Sequence, residues 1–162
     1  MSEPELTADE LRHLERCLEL AGEALEAGHA PFGSVLVSGA GVALAEDHNR
    51  IGDGDPTAHP EIALARWAAA HLTAEERATA TVFTSGEHCA MCAAAHAWVG
   101  LGRIVYATST AQLLRWRAED GVAAGPIQPL PIGTVAPGIQ VQGPVAQFTA
   151  SMRALHARHA RP

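Results

Sequence analysis

Lysine is absent from the 162 residues, and the only permanent cations are arginines, so 11 basic side chains face 18 aspartates and glutamates and the formal net charge is -7. Sequence-independent affinity for nucleic acid rests on clustered cationic side chains that release counterions. A lysine-free, acidic surface therefore argues against a nucleic-acid partner and favours a small, weakly charged substrate. No run of about eighteen uncharged apolar residues occurs, which leaves no candidate membrane span. Met1 to Glu10 lack the basic, apolar and small-residue pattern of an export signal, so a cytoplasmic location is expected. Cysteine is scarce and odd in number, with three residues. In a chain without an export signal, that argues against a disulfide framework and directs attention to metal or thiolate chemistry. Cys17 stands alone, whereas Cys89 and Cys92 form a pair.

The chain is 48% hydrophobic, enough for one good core and short for two, so a single domain over 1–162 is expected. Thr7-Ala-Asp-Glu10 reads as a capping box, and Leu11, Leu14, Leu18, Ala21 and Leu25 recur at helical spacing, predicting a helix over about 8–27 ended by Gly28. Ser34–Ser38, the turn Gly39-Ala-Gly41 and Val42–Ala45 read as a β-hairpin. A polar loop over Asp47–Thr57 follows, and Pro60 opens a helix reaching His71. Thr81–Thr84 reads as a buried strand, Cys89–Gly100 as an alanine-rich helix and Ile104–Ala107 as a further strand. Alternation of strand and helix after a hairpin predicts a three-layer α/β/α sandwich around a mixed five-stranded sheet. Gly121–Pro144, rich in Gly and Pro, reads as an extended, turn-laden crossing, with a final helix over about 145–159.

Catalytic zinc takes three protein ligands from nitrogen and sulfur donors and leaves a fourth position for water. His59 with Cys89 and Cys92 supplies that count. Cys89 and Cys92, three apart at the start of a helix, share a face, and the unpaired N–H groups there favour thiolate. Glu61, two residues after the histidine, stands near the open position without being a ligand, as a proton carrier would.

His59-Pro-Glu61 followed by Glu87-His-Cys89-Ala-Met-Cys92 resembles the cytidine deaminase superfamily, and most closely its guanine deaminase and tRNA adenosine deaminase branch. Ala30-Pro-Phe-Gly33, His48-Asn-Arg50 and Ile104-Val-Tyr-Ala107 extend the resemblance over roughly residues 8–115. It implies a Zn2+ cofactor, water as co-substrate and Glu61 as the proton shuttle between that water and the ring. By the same resemblance Asn49 hydrogen-bonds the base edge, Phe32 packs on the ring, and the backbone N–H of Cys89 stabilises the reacting oxygen. A homodimer is implied as well, with pockets completed across a two-fold interface, so the segment from about 121 is a candidate to cross to the partner subunit. Two positions depart from the pattern. Pro60 replaces alanine and deletes an N–H donor that relatives can direct at the base. His88 replaces proline, as a spare pocket base, a support for the ligands or a packing residue. Asp120 is a further candidate for substrate contact.

Each of these residues also has a plainer reading. A lone C-x-x-C is as well a buried pair or a structural knuckle, Glu61 a helix-start acid favoured by the dipole, Asn49 a loop residue bonding its own backbone, and Phe32 core. Trp67, Trp98 and Trp116 read as core or interface. Three functions compete: deamination of a free base such as guanine, cytosine or an aminotriazine; tRNA adenosine editing; and zinc-stabilised interaction without catalysis. Glu61 speaks against the last, and the shortage of cations against the second.

Overall fold

The computed structural model describes residues 2–161; Met1 and Pro162, the ends of the expected domain, lie outside the described residues. Twelve elements follow in order: α1 Ala8–Glu26, β1 Gly33–Val37, β2 Ala43–His48, α2 Pro60–His71, α3 Ala74–Thr79, β3 Thr81–Gly86, α4 Ala90–Trp98, β4 Ile104–Thr108, α5 Thr110–Glu119, α6 Ile132–Val135, β5 Val141–Gln142 and α7 Thr149–Ala160. The five strands form one sheet in the order β2-β1-β3-β4-β5. β1 pairs antiparallel with β2 and β3, and β3–β4 and β4–β5 pair parallel. This is the mixed five-stranded sheet between two helical layers that strand–helix alternation predicted.

Period-2 alternation along the central strands sends successive side chains to opposite layers. Val35, Val37, Phe83, Val105 and Ala107 face one way and pack with Leu14, Cys17 and Leu20 of α1 and with Phe148. Leu36 and Val82 face the other way, onto Leu64, Ala65 and Ala68 of α2, while Ile104 and Tyr106 meet Ala93 of α4 and Ile132 of α6. Strands buried on both faces need no polar alternation, hence the unbroken apolar Val35-Leu-Val37 and Ile104-Val-Tyr-Ala107. No helix among the described residues is long and apolar enough to cross a membrane.

Thr7 and Glu10 form the expected reciprocal cap at the head of α1. The buried stripe of α1 is Leu14, Cys17, Leu20, Ala21 and Ala24, rotated from the expected one because Leu11, Leu18 and Leu25 lie at its half-exposed margins. Cys17 is thus a small core residue, its thiol pushed up by burial. β2 runs three residues beyond the expected strand, to His48. It is an edge strand whose Glu46 accepts from Arg16 Nε at 3.0 Å and Nη2 at 2.7 Å. Within 121–144, read as an extended, turn-laden crossing, the structure also forms the single turn of α6 and the two-residue β5, and α7 begins after a 3₁₀ turn over Ala146–Phe148.

Gly33 is where α1 touches the sheet most closely: a Cβ there would lie 2.4 Å from Leu20 Cβ and 2.5 Å from the Cys17 carbonyl. Gly33→Ala should destabilise the protein by about 1–3 kcal/mol through overpacking, whereas Gly133→Ala, with no atom within 4 Å, should be neutral. Urea unfolding of the two variants checks this. A second outcome concerns acid. Burial foremost, with the nearby Arg117, pushes His156 from near 6.5 down to about 3, so between these pH values the unfolded chain binds a proton that the folded chain refuses. Stability is retained above pH 6.5 and falls by up to about 1.4 kcal/mol per pH unit below it. Stability curves of His156→Phe should show a shallower acid slope than wild type; equal slopes would contradict the assignment.

Candidate active site

His59 immediately precedes α2 and Cys89 immediately precedes α4, both in extended backbone, and Cys92 lies within the first turn of α4. Pro60 occupies the first position of α2, where the missing N–H would have had no intrahelical partner. The two helices pack side by side and bring their N-terminal ends together. His59 Nδ1 lies 3.6 Å from Cys89 Sγ and 3.6 Å from Cys92 Sγ, and the three donor atoms lie within 4.8 Å of one another. A zinc ion bonded tetrahedrally at about 2.3 Å to sulfur and about 2.05 Å to nitrogen sets those atoms about 3.6 Å apart. One ring N–H cannot serve two sulfurs equally well, so the equal distances fit a shared cation better than a hydrogen bond. Among the described residues this is the one cluster of three His, Cys, Asp or Glu side chains able to hold a metal.

The charge state of the cluster points the same way. A hydrogen bond from Cys92, aided by His59 and opposed by burial, lowers the Cys89 thiol to about 4. Cys92 is driven far upward, first by Cys89 and then by burial. Ionisation of Cys89 is thus favoured at the expense of Cys92, and a divalent cation between them would allow both to be thiolates. Its hydrogen bond to Cys89 raises His59.

Glu61, on the first turn of α2, is buried at 5% exposure. Burial raises its carboxyl above the usual carboxylate range, partly opposed by His59. It belongs to a chain of hydroxyls: Ser34 Oγ donates to Thr84 Oγ1 at 2.8 Å, and the single Thr84 proton is divided between Gly86 O at 3.0 Å and Glu61 Oε1 at 3.3 Å. A buried carboxyl beside the metal ligands, its proton affinity raised by burial, suits both taking and giving a proton.

Asn49 is also buried. Its N–H donates to Phe32 O at 3.0 Å, and its Oδ1 accepts from Ile51 N–H at 3.0 Å, so the amide is oriented and its NH₂ remains as donor. Phe32 is half-buried, close to Gly86 at the end of β3 and edge-on to His156, with centroids 5.2 Å apart. His88 is fully buried, edge-on to His96 at 5.4 Å, and burial foremost keeps it neutral. Asp120 is not joined to this cluster: both its oxygens are held by Arg153, at 2.7 and 2.8 Å.

Sequence reasoning passed over the residues that fix the loop before Cys89. Glu87 Oε2 accepts from Thr110 N–H at 2.8 Å and Oε1 from Ile132 N–H at 2.9 Å, while its own N–H donates to Thr108 O at 2.8 Å. Ser85 Oγ accepts from Gly33 N–H at 3.1 Å. The available signal was a pair of hydroxyl residues, Thr84 and Ser85, closing an otherwise apolar strand, since buried hydroxyls need partners.

The family model of the cytidine and deoxycytidylate deaminase zinc-binding region matches residues 7–108. A probable cytosine deaminase of Schizosaccharomyces pombe is 30% identical over 121 residues, 75% of this chain and 74% of that protein. A tRNA-specific adenosine deaminase of Haemophilus influenzae is 37% identical over 93 residues, covering 57% of this chain and 54% of the relative. The solved guanine deaminase of Nitrosomonas europaea superposes with a TM-score of 0.68 at 25% identity, covering 96% of this chain and 89% of the other. With the matched region containing both helix starts and all three metal-binding side chains, the chain belongs to the cytidine and deoxycytidylate deaminase family and is a zinc-binding deaminase.

Proposed function

We propose that the protein hydrolytically deaminates an amino-substituted free nucleobase, guanine, cytosine or a related ring such as an aminotriazine, with Glu61 as the proton shuttle. The observation that carries this reading is the buried Glu61 carboxyl on the same helical turn as His59, beside three donor atoms at zinc-edge spacing. His59, Cys89 and Cys92 would hold the metal, which when bound supplies a Lewis acid that makes water acidic near neutral pH. Glu61 takes a proton from water as the oxygen bonds to the ring carbon bearing the amino group. The same carboxyl then protonates the ring nitrogen, and later carries the remaining hydroxyl proton to the amino group. The C–N bond breaks, ammonia leaves and a carbonyl remains. The hydroxyls of Thr84 and Ser34 support the carboxyl from behind. Asn49, its Oδ1 already engaged, offers NH₂ to an acceptor on the base, and Phe32 supplies an apolar wall. The first N–H groups of α4, including that of Cys89, suit negative charge on the reacting oxygen. Pro60 offers no such donor, so base selection rests on other groups.

Ammonia release from guanine, cytosine, an aminotriazine, their nucleosides and a tRNA tests the reading. Turnover of a free base is expected, with Glu61→Gln slower by about 10²–10⁴-fold or more while it retains zinc; turnover of tRNA alone would overturn the free-base reading. By metal analysis His59→Ala should lose most of its zinc, and equal zinc in the two variants would remove His59 from the ligand set.

A homodimer completes the proposal. Trp98, on α4, is 89% exposed, and the neighbouring outward residues Ala94 and Ala97 are small enough to let a second helix approach. Tryptophan so placed is typical of an interface anchor. The segment 121–131, exposed along its length, would be the part of the chain that crosses to a partner's pocket. Light scattering should give a dimer for wild type and a shift toward monomer for Trp98→Glu; a monomeric wild type would refute this.

A further inference from the structure

α5 and α7 meet beside Phe32, and their contact leaves a cavity of about 60 Å³ lined by Trp116, Arg117, Asp120, His156 and His159 among others. His156 is 7% exposed, and its Nε2 is fully buried with no hydrogen-bond partner among the described residues. A buried ring nitrogen left unpaired is costly and calls for an occupant. Arg117 is half-buried and, among the described residues, has no ion pair; burial is the only influence on its guanidinium, with no carboxylate opposing it. The one carboxylate lining the cavity, Asp120, has both oxygens on Arg153, and Glu119 approaches the same guanidinium at 3.3 Å. Arg117 therefore faces the cavity with donors to spare, and His159 adds a second imidazole on its wall. The volume admits about four waters or one small polyatomic group, and no nucleobase.

We propose that Arg117, His156 and His159 form a second site that binds an oxyanion, a phosphate or carboxylate group. The guanidinium fork matches two oxygens of such a group, and the buried imidazole supplies a third donor in its Nε2–H form. The site lies one aromatic ring from the end of β3, because the Phe32 ring that abuts Gly86 also meets His156. Two sources share this chemistry: a free phosphate ion, and a phosphate borne by the substrate. The site stands whatever ring the metal centre deaminates, so binding is read without turnover.

Calorimetry of the zinc-loaded full chain with inorganic phosphate, at constant ionic strength in chloride, tests it. One saturable site per chain is expected, weakened at least tenfold in Arg117→Gln and several-fold in His159→Gln, whose ring is exposed and whose loss spares the fold. Arg115→Gln, exposed on the same helix, should bind as wild type. A nucleoside 5′-monophosphate binding tenfold tighter than both phosphate and the nucleoside, with the gain lost in Arg117→Gln, assigns the oxyanion to the substrate; equal affinity for mononucleotide and phosphate assigns it to a separate ion. Absence of saturable binding, wild-type affinity in both Arg117→Gln and His159→Gln, or phosphate binding that disappears only when zinc is stripped would overturn the proposal.

Discussion

Two sulfur atoms and an imidazole nitrogen stand within 4.8 Å of one another, a donor set that a divalent cation would hold together. That constraint organises the protein. Cys92 favours ionisation of Cys89 while Cys89 opposes that of Cys92, and the hydrogen bond to Cys89 raises His59. Holding all three together requires two helix starts aimed at one point, which requires α2 and α4 to lie side by side on the same face of the sheet. The small residues Ala65, Ala68 and Ala93 at their buried faces make the layer thin enough. The cost of gathering the ligands is thus met by hydrophobic burial beneath them, and metal binding in turn stabilises the folded arrangement that created the site.

The loop carrying Cys89 is held as firmly from its other side. Glu87 is a single carboxylate accepting N–H groups at the heads of α5 and α6, a charge-assisted arrangement stronger than neutral pairs. Through it, the position of the metal ligands depends on residues more than twenty and more than forty places further along the chain. Ser85 does the same toward Gly33 and so toward Phe32. The C-terminal third, poor in recognisable motifs, is therefore a buttress of the site rather than an appendage.

Most of the sheet was legible because β1, β3 and β4 are buried on both faces and read as short apolar runs, and because Thr7–Glu10 and Pro60 mark helix starts by local chemistry. The missing pieces lack such marks. α5 is rich in Arg and Gln and has Trp116 as its one buried residue, so no apolar stripe announces it, although Ser109 and Gln112 do form a cap. α3 is six residues long with no buried residue; its Thr73–Glu76 cap was the only signal. β5 has two residues, and what makes it a strand is the open edge of β4 beside it. The convergence of His59, Cys89 and Cys92 was legible from residue type and spacing together with the family resemblance, since zinc chemistry restricts ligand types sharply. Asp120 was not, because an ion pair with Arg153, 33 positions away, leaves no local trace in either neighbourhood.

Charge placement shows why an acidic chain suits this chemistry. Arg12, Arg16, Arg50, Arg103, Arg153 and Arg158 are each engaged by carboxylates, so six of the 11 arginines are paired where they stand. Arg117 has no such ion pair among the described residues, and the helix starts at His59 and Cys89 add partial positive charge beside the site. Against a negative surface these are the few places where an electron-rich group gains by approach, and low-dielectric walls such as Phe32 and Trp116 strengthen that attraction. On a chain of formal net charge -7, the scarcity of cations elsewhere thus concentrates what attraction there is for an electron-rich group at these few places.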